Sequence, residues 1–222
     1  MQTLRSMYCV LFEVQFEPAN SDAYFKIAGS LRPELEKVEG FIHNERFASS
    51  SRLNTYISYS TWDSERSLVK WRTHAKHHYS QAKGRTEIFA DYRIRIGVRV
   101  ADAAVPEDIA MIPYRFEETQ RSDIKSVVLA EFETAIARPQ AGYPQPTPQS
   151  RETFDSVVTN DKSLELTGWS SEQQADGYLR GMSRPAPSGF IRARHFRIIR
   201  DYSLLDRQEA PQYFPPVRKS SP

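Results

Sequence analysis

Apolar and polar positions change their period several times along this chain, and each change marks an element. The run YCVLFEVQF within residues 7–16 is rich in β-branched and aromatic side chains and reads as a strand, closed by the turn chemistry of Pro18, Asn20 and Ser21. Ser21 or Asp22 can then cap a helix. In it Tyr24, Phe25, Ile27, Ala28, Leu31, Leu35 and Val38 recur at helical spacing until Gly40. Pro33 inside that pattern predicts a kink or a second segment, because proline lacks the N–H and crowds the preceding turn. Residues 41–47 and 55–62 predict two strands around the polar turn 48–54. A helix over residues 64–82 follows, with Leu68, Trp71, Ala75, His78 and Ala82 near one line of the helical wheel and Gly84 as its stop. Residues 88–100 supply a fourth strand, and the order β-α-β-β-α-β is that of a ferredoxin-like unit.

A second pass begins after an aperiodic connector. SVVLAEFE at residues 126–133 is similar to the first strand, and residues 164–169 are similar to the strand ending at Trp62. In both places a tryptophan ends the strand, a glutamate follows three residues on (Glu65, Glu172) and an aromatic nine residues on (Trp71, Tyr178). Residues 196–199 then correspond to the strand around residues 92–96. The Pro-bearing stretch ARPQAGYPQPTPQS stands where a first helix belongs and suits an extended loop better. The expected fold class is α+β, with two ferredoxin-like units in an arrangement like a dimeric α+β barrel. Residues 1–105 form the first unit, 106–124 a linker, 125–211 a shortened and degenerate second unit, and 212–222 a flexible tail.

Composition narrows the class. Thirty basic and 28 acidic residues give a net charge of +2, too balanced for a nucleic-acid footprint or an anionic membrane partner. Cys9 is the single cysteine, so no internal disulfide and no cysteine zinc site is expected, and a reducing compartment fits. The first 16 residues lack the basic, apolar and small-residue regions of a signal peptide, and no stretch approaches the roughly 20 apolar residues of a membrane span. The expected location is cytoplasmic.

GFIHNERF at residues 40–47, the strand ending STW at Trp62, WRTHAKHHYSQAKGR at residues 71–85 and DYRIR at residues 91–95 together resemble the antibiotic biosynthesis monooxygenase (ABM) family, across about the first hundred residues. RDYSLLDRQEAP at residues 200–211 is similar to the tail after the last strand of such domains. The resemblance implies a dimeric α+β barrel in which each ferredoxin-like sheet encloses a pocket against its own helices. Two units in one chain would imitate that dimer and cover the edges a lone sheet exposes. Further homodimer formation stays open.

The candidate chemistry concentrates on the helix after Trp62. Trp71 lies on its apolar stripe as either a core filler or, by resemblance to the pocket tryptophan of heme-degrading relatives, a pocket wall. His74, His77 and His78 share the helix. A wheel places His78 nearest Trp71, whereas the resemblance favours His77, six residues after the tryptophan, so all three stay as catalytic candidates. His74 and His78 stand four residues apart without a third ligand, and no metal site is expected. Cofactor-independent members of the family oxidise electron-rich phenols or hydroquinones, which must be deprotonated before passing an electron to dioxygen. A histidine titrating near neutrality suits that step. Arg72 can meet a phenolate or carboxylate through planar donors, as can Arg85, Arg93 and Arg95. Alternation puts Arg93 and Arg95 on one strand face and Tyr92, Ile94 and Ile96 on the other. Asn44, Tyr59 and Tyr92 complete the substrate-binding candidates.

Heme-degrading members use an asparagine on the first strand and a histidine ten residues after the pocket tryptophan. Here those places hold Glu13 and Gln81, which argues against that reaction, although heme on another histidine stays open. No cofactor is otherwise expected. The implied function is a cofactor-independent monooxygenase for a small aromatic or hydrophobic substrate of phenol or quinol type. A non-catalytic ligand-binding or assembly barrel is the alternative. No Gly-rich phosphate loop, nucleophile elbow or HExxH helix supports another class.

Overall fold

The computed structural model describes residues 7–17, 19–105, 117–133, 146–183 and 186–211. The expected tail at 212–222, residues 106–116 of the linker and most of the Pro-bearing loop lie outside that set. The elements run β1 (Tyr8–Phe16), α1 (Ser21–Leu35), β2 (Phe41–Ser49), β3 (Thr55–Trp62), α2 (Glu65–Thr73), α3 (Ala75–Lys83), a π-helical turn (Gly84–Ile88), β4 (Phe89–Asp102), β5 (Ser126–Glu133), β6 (Ser150–Ser156), β7 (Lys162–Trp169), α4 (Glu172–Ser183) and β8 (Phe190–Ser203).

The architecture is ferredoxin-like α+β, and its eight antiparallel strands close into one barrel in the order β1-β3-β2-β6-β7-β5-β8-β4. Read around the ring from β2, four strands run β2-β3-β1-β4 and the next four run β8-β5-β7-β6, their counterparts in reverse. One seam is long, from Arg93 opposite Ser203 to Asp102 opposite Arg194. The other is short, pairing only Phe47, Ala48 and Ser49 with Ser156, Asp155 and Phe154. Closure leaves the strands without a free edge.

Strand alternation sorts the side chains into two layers. Inward-facing Cys9, Leu11, Phe47, Ile57, Tyr59, Leu129, Phe154, Leu164 and Phe196 fill the barrel. On the outside, Ala175, Tyr178, Leu179 and Met182 of α4 pack on Val128, Ala130, Trp169 and Ala193. The helices α1, α2 and α3 cover the outer face of the β1–β4 sheet less tightly. Both tryptophans that end a central strand make the same bond: Trp62 Nε1 donates to Ser60 Oγ and Trp169 Nε1 to Thr167 Oγ1, each at 3.0 Å.

A chain of charges joins the two sheets inside the barrel. Lys162 Nζ reaches Glu45 at 2.6 Å and Glu131 at 2.8 Å, and Arg194 bridges Glu131 at 2.9 Å to the Tyr59 hydroxyl at 3.1 Å. Burial alone would raise the Glu45 carboxyl. Hydrogen bonds from His43, Lys162 and Ser156 and the Lys162 charge outweigh it and hold Glu45 at about 2.

Several expectations need correction. The helix expected over residues 64–82 is two helices. Ser64 caps α2 by accepting from the Ser67 N–H, and His74 then turns extended at φ −60°, ψ 128° before α3 begins. Gly84 does not stop the second of these, since one wider turn carries on to Ile88. Pro33 neither splits nor ends α1, which runs through it to Leu35, so that only two residues of the helix follow the lost N–H. The strand β6 had no sequence signal, its SRETFDS run lacking an apolar alternation. Beyond β8, residues 204–211 fold back on the β1–β4 sheet, the Leu204 N–H donating to the Tyr92 carbonyl at 3.1 Å.

Candidate active site

Between the outer face of the β1–β4 sheet and α1–α3 lies a cavity of about 210 Å³. Its floor is Val10 and Phe12 of β1, Ser58 and Ser60 of β3, and Tyr92, Ile94 and Ile96 of β4. Helix residues Ala28, Leu31, Leu68, Trp71 and His77 form the roof, and Tyr202, Arg207 and Pro211 close one end. Phe12 and Phe89 touch each other and each meets Tyr24 and Tyr92, all at 5.5–6.5 Å in tilted or edge geometry, giving an apolar aromatic wall. The volume is below the roughly 300–1,000 Å³ of drug-sized sites, which favours a compact ligand.

The helix break at His74 sets the chemistry. Residues six apart point about a third of a turn away from each other on a continuous helix, but here His77 lies flat on Trp71 with ring centroids 4.3 Å apart and planes 14° apart. His77 Nδ1 is 3.0 Å from the Trp71 carbonyl oxygen, which only accepts, so the proton belongs on Nδ1. Gln81 Nε2, which donates to the Arg72 carbonyl at 3.0 Å, stands 3.1 Å from the same Nδ1, and with the proton on Nδ1 it makes no hydrogen bond to the ring. His77 Nε2 then carries the lone pair of a ring that lines the cavity. Burial, and to a smaller extent His74 and His78, push His77 down to about 4 against the pull of the Trp71 carbonyl, so the ring is neutral at physiological pH.

Positive charge gathers at the closed end. Arg85 Nη1 donates to the Tyr92 hydroxyl, as does Arg207 Nη1 at 2.6 Å. Arg72 lines the same cavity, its Nε is buried without a partner, and burial lowers its pKa.

Of the residues singled out from sequence, Trp71, His77, Asn44, Arg72 and Tyr92 meet in this cavity. His74 stacks on the other side of Trp71 at 5.6 Å but does not line it, and His78 is exposed. Asn44 donates to Ser58 Oγ at 2.8 Å. Tyr59 is on the opposite face of β3, inside the barrel. Arg93 and Arg95 likewise face inward and pair with Asp201. Glu13 pairs with Arg52, while Gln81 lines the cavity. Sequence reasoning missed Tyr202 and Arg207 as wall residues, although the RDYSLLDRQEAP segment that holds them had been singled out. Among the described residues no cluster of three metal-ligating side chains occurs, and no helix is long and apolar enough to cross a membrane.

Residues 7–83 match the family model for antibiotic biosynthesis monooxygenase. The chain is also 31% identical over 233 positions to a Pyricularia oryzae protein named jasmonate monooxygenase ABM, covering 95% of this chain and 100% of that protein. The chain belongs to the antibiotic biosynthesis monooxygenase family. Among solved structures, aldoxime dehydratase OxdRE in complex with butyraldoxime aligns with TM-score 0.57 at 12% identity, covering 88% of this chain and 80% of that chain. Another aldoxime dehydratase aligns at 0.53 and 9% identity, covering 87% and 81%. At such identities the likeness is one of fold. The ABM match ends at Lys83, so Arg85, Tyr92, Tyr202 and Arg207 belong to the cavity but not to the matched segment.

Proposed function

We propose that this ABM chain is a monooxygenase whose reaction takes place in the cavity beneath Trp71, on a small phenol- or quinol-type molecule. The observation that supports it best is the apolar aromatic cavity with the neutral His77 in its lining, proton on Nδ1 and lone pair on Nε2, although a pKa pushed down to about 4 makes this ring a weaker base than the near-neutral histidine expected from sequence. Nε2 takes a proton from the substrate, leaving an electron-rich anion. That anion passes one electron to dioxygen. The resulting pair recombines with formation of a carbon–oxygen bond, and loss of water from the peroxide leaves a carbonyl. One oxygen atom ends in product and the other in water, and the aromatic wall keeps bulk water from the intermediate.

A second reading of the substrate follows from the relative's name. That name would put a jasmonate in the cavity in place of a phenol.

We also read the chain as two ferredoxin-like units, residues 1–105 and 125–211, joined by 106–124. The mirrored strand order and the matched bonds of Trp62 and Trp169 support this reading. The second unit is structural in it, since Tyr178 is fully buried, 4.8 Å from Trp169 and bonded to Glu165 at 2.6 Å, in the place that corresponds to Trp71.

The test is incubation with an anthrone, a hydroquinone and jasmonate under ¹⁸O₂, in protein freed of metal and flavin, with mass analysis of products. One labelled oxygen in a product, lost in His77→Ala, is expected. Binding of these compounds without incorporation of label would leave a ligand-binding barrel instead.

A further inference from the structure

The cavity holds an imbalance of charge that its own residues do not settle. Among the described residues its lining includes Arg32, Arg46, Arg72, Arg85 and Arg207, and no aspartate or glutamate. Arg32 pairs with Glu36 at 2.8 Å, and Arg46 rests over the Tyr24 ring at 5.9 Å. Arg85 and Arg207 both donate to the Tyr92 hydroxyl, a neutral acceptor. Arg72 is different. Its side chain makes no hydrogen bond or ion pair with any described residue, and its Nε is shut away from solvent beside an apolar chamber. A half-buried guanidinium with an unsatisfied donor is costly to keep, and an acceptor arriving in the cavity would offset part of that cost.

Tyr202 shares the cavity with it. This tyrosine, 6% exposed, lines the cavity with its ring 5.7 Å from the Arg207 guanidinium, and its hydroxyl has no partner among the described residues. Of the anions a small cavity accommodates, a carboxylate matches the planar fork of arginine with two parallel bonds and leaves an oxygen for a phenolic O–H.

We infer that the molecule taken by this cavity carries a carboxylate, gripped by Arg72 with Tyr202 donating beside it. This rests on the reading of the cavity as the substrate site, and it assigns the substrate a charged end distinct from the atom that His77 deprotonates. Specificity then comes partly from outside the segment shared with the family model, since Tyr202 belongs to β8.

The test uses 2-naphthylacetate, its methyl ester and 2-naphthol as probes, titrated calorimetrically into the full chain at pH 7 without oxygen. The acid should bind about tenfold or more tightly than the ester and the naphthol, with added salt weakening the acid alone. Arg72→Gln should remove most of that preference while leaving ester affinity and the unfolding midpoint near those of the unaltered protein. Arg180→Gln, on α4 of the other half, should preserve it. Equal or tighter binding of the ester or naphthol, an equal loss for acid and ester in Arg72→Gln, or binding by none of the probes overturns the inference. An acid that binds with the expected preference while no ABM substrate takes up oxygen leaves the inference standing and overturns the oxygenase reading.

Discussion

The imidazole of His77 lies face to face with the indole of Trp71, 4.3 Å away, while its Nδ1 is tied to that residue's own carbonyl. One residue thus fixes the plane, the tautomer and the burial of the other. Because burial holds the His77 pKa near 4, the base form is present throughout the neutral range, and kcat/KM should be flat down to about pH 5 and fall through pH 4. A solvated histidine would put that limb near 6.5.

The same shift has a signature in stability. The unfolded chain takes up the proton at an ordinary value of 6.5 and the folded chain only near 4, so protonation favours unfolding. The contribution of neutral His77 is full above pH 6.5 and is lost as pH falls toward 4. The urea midpoint should drop across that window, and less so in His77→Gln. A separate loss belongs to Glu45, held near 2 when folded, and should appear only below its ordinary 4.5.

Trp71→Phe keeps an aromatic face for His77, whereas Trp71→Ala removes it. The stacked pair is worth about 0.5–1.5 kcal/mol beyond its buried area, so the alanine variant should be the less stable by at least that amount in urea. Its acid limb should also move up from pH 4 toward 6.5 as His77 gains solvent. A purely structural role for Trp71 would lower activity at every pH without moving the limb.

Much of this was legible in the sequence. The strands ending at Trp62 and spanning Ser126–Glu133 announce themselves by β-branched and aromatic runs, and Arg93, Arg95 and Tyr92 fall on the faces that alternation assigns them. The break at His74 was not. No proline or glycine marks it, and helical period runs through Thr73 unchanged, so the wheel placed His78 against Trp71. In the structure AKHHYSQAK buries no residue, unlike the continuous amphipathic helix that the period suggests. Tyr202 and Arg207 were out of reach for a different reason. Tertiary closure brings them more than a hundred residues along the chain to meet Tyr92, and no local periodicity encodes that. Tyr59 falls inside the barrel because the even-numbered Ser58, Ser60 and Trp62 take the outer face of β3.

Lys162 neutralises Glu45 of β2 and Glu131 of β5 inside the barrel. Lys162→Met should lower stability by about 1–3 kcal/mol, because among the described residues Glu45 then keeps only Ser156 and His43 and Glu131 only Arg194. Urea denaturation of the two proteins at pH 7 checks it. The cost should shrink below pH 4, where the freed carboxylates accept protons.

Gly84, at the start of the π-helical turn, has no room for a methyl group: a Cβ there would lie 2.4 Å from the Phe89 ring. Gly84→Ala should therefore displace Phe89 from the aromatic wall, costing about 1–3 kcal/mol and raising KM more than it changes kcat. Steady-state kinetics beside thermal unfolding separates the two effects.

The account rests on His77 as the base, and oxygen uptake with a hydroquinone measures this most directly. In protein freed of metal and flavin, His77→Ala should reduce the rate by about 10²–10⁴-fold, and His78→Ala, at an exposed position outside the cavity lining, should leave it nearly unchanged. A His77→Ala protein that consumes oxygen at the original rate, or an equal loss in His78→Ala, would contradict it.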